Sequence, residues 1–322
     1  MTATELTTTD WLLDSDPAIR WQAMETLTDA SAADLAAERA KVAQEGWGAQ
    51  LLARQNDQGY WSWSGWDAAA DYNWPGSPPW ITLLVLQLLR VLGPDPADPA
   101  ITTAMTRLKE GSFPSSMPEL FAWAGRGFFD GETEACINGR VLAIGAYFGQ
   151  NVHGIVERLI GEQMADGGWN CELEQGSTRG SFHSTINVLE GLLEYERSGM
   201  AQHETAAARE RGEEYLLSRH LLRRLSSGED ISEHFGRFGF PYAYRFNVLR
   251  GLDYFRWAGA APDERMDDGL ALIKSRRMDD GRWPLENSHE EEWILDMGEA
   301  EGQPSRWVTL QALRVLRHFN AG

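Results

Sequence analysis

Residues 163–169, QMADGGW, decide how this chain is read. Related heptapeptides stand at 55–61 (QNDQGYW) and 277–283 (RMDDGRW), with a glycine and a tryptophan in register and an acidic residue one or two places before the glycine. A motif recurring at nearly even spacing marks a chain built from stacked supersecondary units. The glycine permits a tight turn, the carboxylate can accept from free backbone donors there, and the tryptophan is expected to pin neighbouring units. Asp166 therefore reads as scaffolding rather than as a catalytic acid. Cys171, just beyond the motif, does not recur.

Each heptapeptide is preceded by a helical segment and followed, after a loop, by a second one. The second segments align from Trp80 (WITLLVLQLLRVL), His183 (HSTINVLEGLLEY) and Trp307 (WVTLQALRVLRHF), with degenerate copies from Cys136 (CINGRVLAIGAYF) and Ala243 (AYRFNVLRGLDYF). Their apolar residues recur at i, i+3, i+4 and i+7, and several segments are apolar nearly all round, as in a helix buried on more than one side. Strand signals are absent. The pattern predicts an all-α chain of about five to six helical hairpins, either an open solenoid or a closed α/α barrel. Residues 1–45 read as an N-terminal helical cap, with Asp16 and Pro17 opening a helix over 18–27, and residues 46–322 as the repeat unit.

Composition narrows the partners. With 43% apolar residues in 322, the chain can bury a large core. A net charge of −19 repels phosphate backbones and anionic lipid surfaces, so no nucleic acid is expected. The longest apolar run, 80–89, is broken by Gln87 and closed by Arg90. It is shorter than the roughly 20 residues of a membrane span and reads as a buried helix. The polar start of the chain carries no export signal, so a cytoplasmic location with Cys136 and Cys171 reduced is expected. The sequence does not set the oligomeric state.

The repeat of glutamine, spacer, aspartate, glycine and tryptophan resembles that of the squalene cyclase and protein prenyltransferase β-subunit superfamily, over residues 46–320. The resemblance implies an α/α toroid whose inner helices line an aromatic-rich central cavity for an isoprenoid or similarly apolar small molecule. The chain has 14 tryptophans and 12 phenylalanines, and Trp63, Trp66, Trp74 and Trp80 are candidates to face that cavity. Aromatic faces stabilise a cation by about 0.5–2 kcal/mol each. Class II cyclases of this type protonate their substrate with a DxDD acid, and ionising terpene synthases hold magnesium with DDxxD. Neither motif occurs here. The expected chemistry is therefore that of an isomerase, lyase or transferase, with a non-catalytic lipid- or protein-binding toroid as the alternative.

The helix alignment puts Trp80, Cys136, His183, Ala243 and Trp307 at one repeat position. Neighbouring helix axes lie about 8–10 Å apart, so Cys136 and His183 can meet, with Cys171 in the loop above them. Thiolates and imidazole are common zinc ligands, and three of them with an open fourth position make a catalytic site. The resemblance implies zinc as well. The prenyltransferase Asp-x-Cys and His elements are matched by Glu134-Ala135-Cys136 and Ser181-Phe182-His183, with glutamate in place of aspartate. A metal-free Cys–His pair acting as nucleophile or acid–base is a second reading, and ordinary packing a third, since cysteine is often simply buried. Tyr242, Tyr244, Arg245 and Trp307 are expected on the same ring as substrate contacts, with Arg245 the cation there.

Overall fold

The computed structural model describes residues 7–62, 77–113, 123, 125–200, 203–288 and 294–320. Its helices are α1 (Thr8–Leu13), α2 (Pro17–Leu27), α3 (Ala32–Ala40), α4 (Gly46–Leu52), α5 (Pro78–Leu92), α6 (Pro99–Glu110), α7 (Ala135–Tyr147), α8 (His153–Gly161), α9 (Phe182–Tyr195), α10 (His203–Leu217), α11 (Val248–Trp257), α12 (Asp267–Ser275) and α13 (Arg306–His318). Among the described residues no strand forms, only isolated bridges.

The repeated heptapeptide is explained atom by atom. Each tryptophan indole N–H donates to a carbonyl of the preceding helix: Trp61 to Leu51, Trp169 to Leu159 and Trp283 to Ile273, all at 2.7 Å. Each tryptophan main-chain N–H donates to a threonine hydroxyl on the following inner helix, Thr82 (3.1 Å), Thr185 (3.0 Å) or Thr309 (3.0 Å). These threonines stand two residues after Trp80, His183 and Trp307, so the alignment of those three helices holds. The Gln55 and Gln163 amides each bond their own turn and the next outer helix, at 2.8 Å to Ala104 O and Ala208 O. The turn glycines have φ of +88° (Gly59), +87° (Gly167) and +82° (Gly281). A Cβ on Gly59 or Gly167 would also stand 2.2 or 2.5 Å from a carbonyl oxygen of the next outer helix, so these positions admit glycine alone.

The inner helices α5, α7, α9, α11 and α13 follow one another, with α4, α6, α8, α10 and α12 outside them. The ring closes through α2. Asp16 caps this helix, accepting from Ala18 N at 2.9 Å. On one side the Trp21 indole and the Gln22 amide donate to the C-terminal carbonyls of α5. On the other side Arg314 and Arg317 of α13 donate to Gln22 and Thr26. The result is a closed α/α toroid whose sixth inner helix precedes the repeats.

The degenerate copy at Ala243 departs from its expected register. Helix α11 begins only at Val248, capped by Asn247, and Ala243 lies in the loop before it with φ of +43°. Tyr242, Tyr244 and Arg245 are therefore loop residues and not a first helical turn. This copy lacks the glycine–tryptophan turn that precedes α5, α9 and α13.

Buried ion pairs join the inner helices to one another. Glu190 of α9 receives Arg90 of α5 (3.1 Å) and Arg250 of α11 (2.7 Å), while Glu194 receives Arg90 at 3.0 Å. Gln87 of α5 links Arg140 of α7 (2.7 Å) to Ala243 O (2.6 Å). Helices α7 and α9 pack backbone to backbone, because a Cβ on Gly139 or Gly191 would meet the opposite main chain within 2.6 Å. Among the described residues no helix is long and apolar enough to cross a membrane. The run at 80–89 lies buried inside α5.

Asp253 ties α11 to this closure, accepting from Arg256 (2.7 Å) and Arg314 (2.8 Å). Burial raises its carboxyl, but the two guanidiniums outweigh burial and hold it at about 2, below the ordinary 3.8. A depressed carboxyl stabilises the fold above pH 3.8, and that contribution disappears as pH falls toward 2. Asp253→Asn is expected to cost about 2 kcal/mol in urea unfolding at pH 7, with the difference from the parent narrowing below pH 4.

Candidate functional site

The N-terminal ends of the inner helices surround an open cavity of about 650 Å³. Its wall includes Trp80 from α5, Cys136, Ile137 and Arg140 from α7, Cys171 from the following loop, His183 and Ser184 from α9, and Tyr244 and Arg245 from the loop before α11. The sequence-predicted Glu134, Cys136, Cys171, His183, Trp80, Tyr244 and Arg245 are thus brought together. Trp307 is not: it is fully buried and stacked on Phe240 at 4.4 Å. Tyr242 is buried beneath Arg250 and faces the polar neighbouring chamber rather than this cavity. Trp63, Trp66 and Trp74 lie outside the described residues. Among the described residues the lining has two aromatic side chains, Trp80 and Tyr244, set among charged and polar ones.

Glu134, Cys136 and Cys171 form the tightest group of potential ligands, with one ligand atom from each within 4.8 Å of the others. Local structure explains the convergence. Glu134 opens α7 as its N-cap without using its side chain as a cap. Glu132, two residues earlier, accepts from Glu134 N at 2.5 Å. Glu134 instead accepts from the Cys136 thiol at 3.6 Å. Cys171 is delivered by the turn after Trp169, and Ser184 bonds both its amide and its sulfur at 3.2 Å. The Cys136 amide, a free donor at the start of α7, points at the Cys171 sulfur at 3.3 Å. The hydrogen bond to Cys171, then burial, push the Cys136 thiol well above its ordinary range. A metal-free Cys136 nucleophile is poorly served by this environment, because the thiolate is the reactive form.

His183 does not join the group as the expected third ligand. Its Nδ1 accepts the Phe246 amide proton at 2.8 Å. A neutral ring bound in this way keeps its proton on Nε2, which leaves no lone pair for a metal. Glu134 stands where His183 was expected, so the donor set is two sulfurs and a carboxylate.

Sequence reasoning passed over Arg140, Asn170, Glu172 and Ser184. Arg140 left a signal, since it is the one charge within the apolar segment ACINGRVLAIGAY and stands one turn below Cys136. It is 2% exposed on the cavity floor, with its guanidinium 5.2 Å from the Trp80 ring. A second chamber of about 280 Å³ shares His183, Tyr244 and Arg245 and is lined further by Ser232, His234, Arg237 and Asn287.

No protein-family model matches the chain, and no curated protein matches it. Two solved structures are similar in outline. A protein from Actinoplanes shares 17% identity over 94% of this chain and 90% of its own, with a TM-score of 0.43. An apo variant of the type II terpene cyclase MstE from Scytonema shares 14% over 94% and 85%, also with a TM-score of 0.43.

Cys136 is 8% exposed and lies beneath Cys171, which is only partly buried. In metal-free protein iodoacetamide is expected to label Cys171 first and Cys136 about tenfold more slowly, as read by peptide mass spectrometry. Equal labelling would contradict the burial order.

Proposed function

We propose that the protein is an enzyme acting on an isoprenoid or similarly apolar small molecule in the mouth of the toroid, with zinc held by Cys136, Cys171 and Glu134. The observation that carries the reading is the convergence of these three donors, within 4.8 Å of one another, in the wall of the 650 Å³ cavity. The donor chemistry fits the ion. Two sulfurs and a carboxylate are a zinc-type set that leaves a fourth position for water or substrate. Without a cation the hydrogen bond to Cys171 and burial push the Cys136 thiol upward, so binding zinc would displace its proton. Bound there, zinc would supply Lewis acidity and a lowered pKa for a coordinated water or substrate group.

The chain's own residues define the rest. Ser184 and the Cys136 amide orient the Cys171 sulfur toward the cavity. Trp80 and Ile137 give an apolar surface for a hydrocarbon portion, and Arg140 and Arg245 place positive charge in the same lining. Glu134 and Glu172 stand in the same lining, so charges of both signs are present. No DxDD acid is present to start a carbocation cyclisation. An isomerase, lyase or transferase fits the chain better.

Metal analysis of purified protein tests the reading. About one equivalent of zinc is expected, falling below about 0.2 in Cys136→Ser or Cys171→Ser and unchanged in Glu172→Gln. Less than about 0.2 equivalents in the unmodified protein, even after zinc supplementation, would remove the metal and leave a non-catalytic binding toroid as the better account.

A further inference from the structure

The surroundings of His183 restrict it to a single chemical capacity. A backbone amide can only donate, and the Phe246 amide reaches Nδ1 at 2.8 Å, so Nδ1 is the acceptor and the neutral ring carries its proton on Nε2. An imidazolium would turn Nδ1–H against the Phe246 N–H. Burial, then Arg250 and Arg245, also oppose the charged form and bring the ring down to about 4. A general base needs a free ring nitrogen, and His183 offers none. What remains is Nε2–H, which no described residue engages, on a ring that lines both chambers.

The direction of that N–H is fixed. Phe235 and Tyr244 stand edge to face with the imidazole, at 5.4 Å and 83° and at 5.8 Å and 79°. Asn187 ties His183 O and Tyr244 O together at 2.7 Å each, so the loop that supplies the Phe246 amide is anchored to α9. A donor held in place before a ligand arrives loses little freedom on binding and favours an acceptor in one position.

We propose that His183 is a permanent hydrogen-bond donor to an acceptor oxygen of the bound molecule, which is therefore an oxygenated apolar compound and not a plain hydrocarbon. The assignment rests on the reading that the cavity is the substrate site, and it is independent of whether zinc is present. Arg245, on the same stretch of wall, suits an oxygen that carries or develops negative charge, as a carbonyl does on enolisation.

The test uses the full chain labelled with nitrogen-15 in histidine. At pH 7 the His183 ring, assigned by its loss in His183→Asn, is expected as the Nε2–H tautomer, and an Nδ1–H tautomer or an imidazolium overturns the assignment. Asparagine at this position can still accept the Phe246 amide through Oδ1 but places no donor where Nε2 stood. Binding is then compared for geranylacetone, an isoprenoid ketone, and for its hydrocarbon analogue without the carbonyl. The ketone is expected to bind about tenfold more tightly, and His183→Asn to remove that preference while leaving the hydrocarbon unchanged. Equal binding of the two probes, including binding of neither, overturns the substrate class. The preference is expected to persist in Cys136→Ser/Cys171→Ser protein. A failed zinc measurement would therefore leave it standing, and a failed ketone preference would leave the zinc result untouched.

Discussion

Glu190 ties three inner helices of the toroid together. One carboxylate, 7% exposed, accepts from arginines of two different helices, Arg90 of α5 and Arg250 of α11. Removing one member of such a group would leave a charge uncompensated in the interior, a loss of several kcal/mol, so the three helices are held to one another in register. Arg314 extends the same logic outward, joining Asp253 on α11 to Gln22 on α2. A ring that would otherwise enclose an apolar hole is filled at one end by paired charge. Among the described residues the large cavity opens where the inner helices begin.

That division accounts for the character of the site. At the mouth, helix starts supply unused amides and loops supply side chains, so the lining mixes Trp80 and Ile137 with Glu134, Arg140, His183 and Arg245. Close packing of α7 on α9 through Gly139 and Gly191 then decides which of these groups meet. It brings the start of α7, with Cys136 and Glu134, up to the loop that carries Cys171. The cysteine pair is a product of helix packing, not of a local sequence motif.

The parts of this arrangement that were legible in the sequence are those in which the chain repeats itself. Trp61, Trp169 and Trp283 each perform one local task, and a task performed three times leaves a pattern. The threonines at 82, 185 and 309 mark the helix register equally well. The loop before α11 broke the pattern, so Tyr242 was misplaced, whereas Trp307 keeps its repeat position and is buried there against Phe240. The role of His183 was hidden for a different reason. It is set by the main-chain amide of Phe246, far along the chain, and any residue but proline at that position offers the same amide. Glu134 was visible beside Cys136, but only the fold shows that its side chain turns away from helix capping toward the sulfur. The charges of the axis could be read as charges in apolar helices, whereas their pairing could not.

Closure through α2 bears on how the molecule is made. An inner helix near the start of the chain finds two partners, one on α5 and the other on α13, where Arg314 and Arg317 wait at the opposite end of the sequence. During synthesis α2 can dock on α5 early, but its second face stays wet until α13 exists. Contacts of such long sequence separation slow folding. Helix α13, made after the other helices of the ring, is therefore the one that turns an open arc into a ring, and until it does, Asp253 of α11 lacks Arg314.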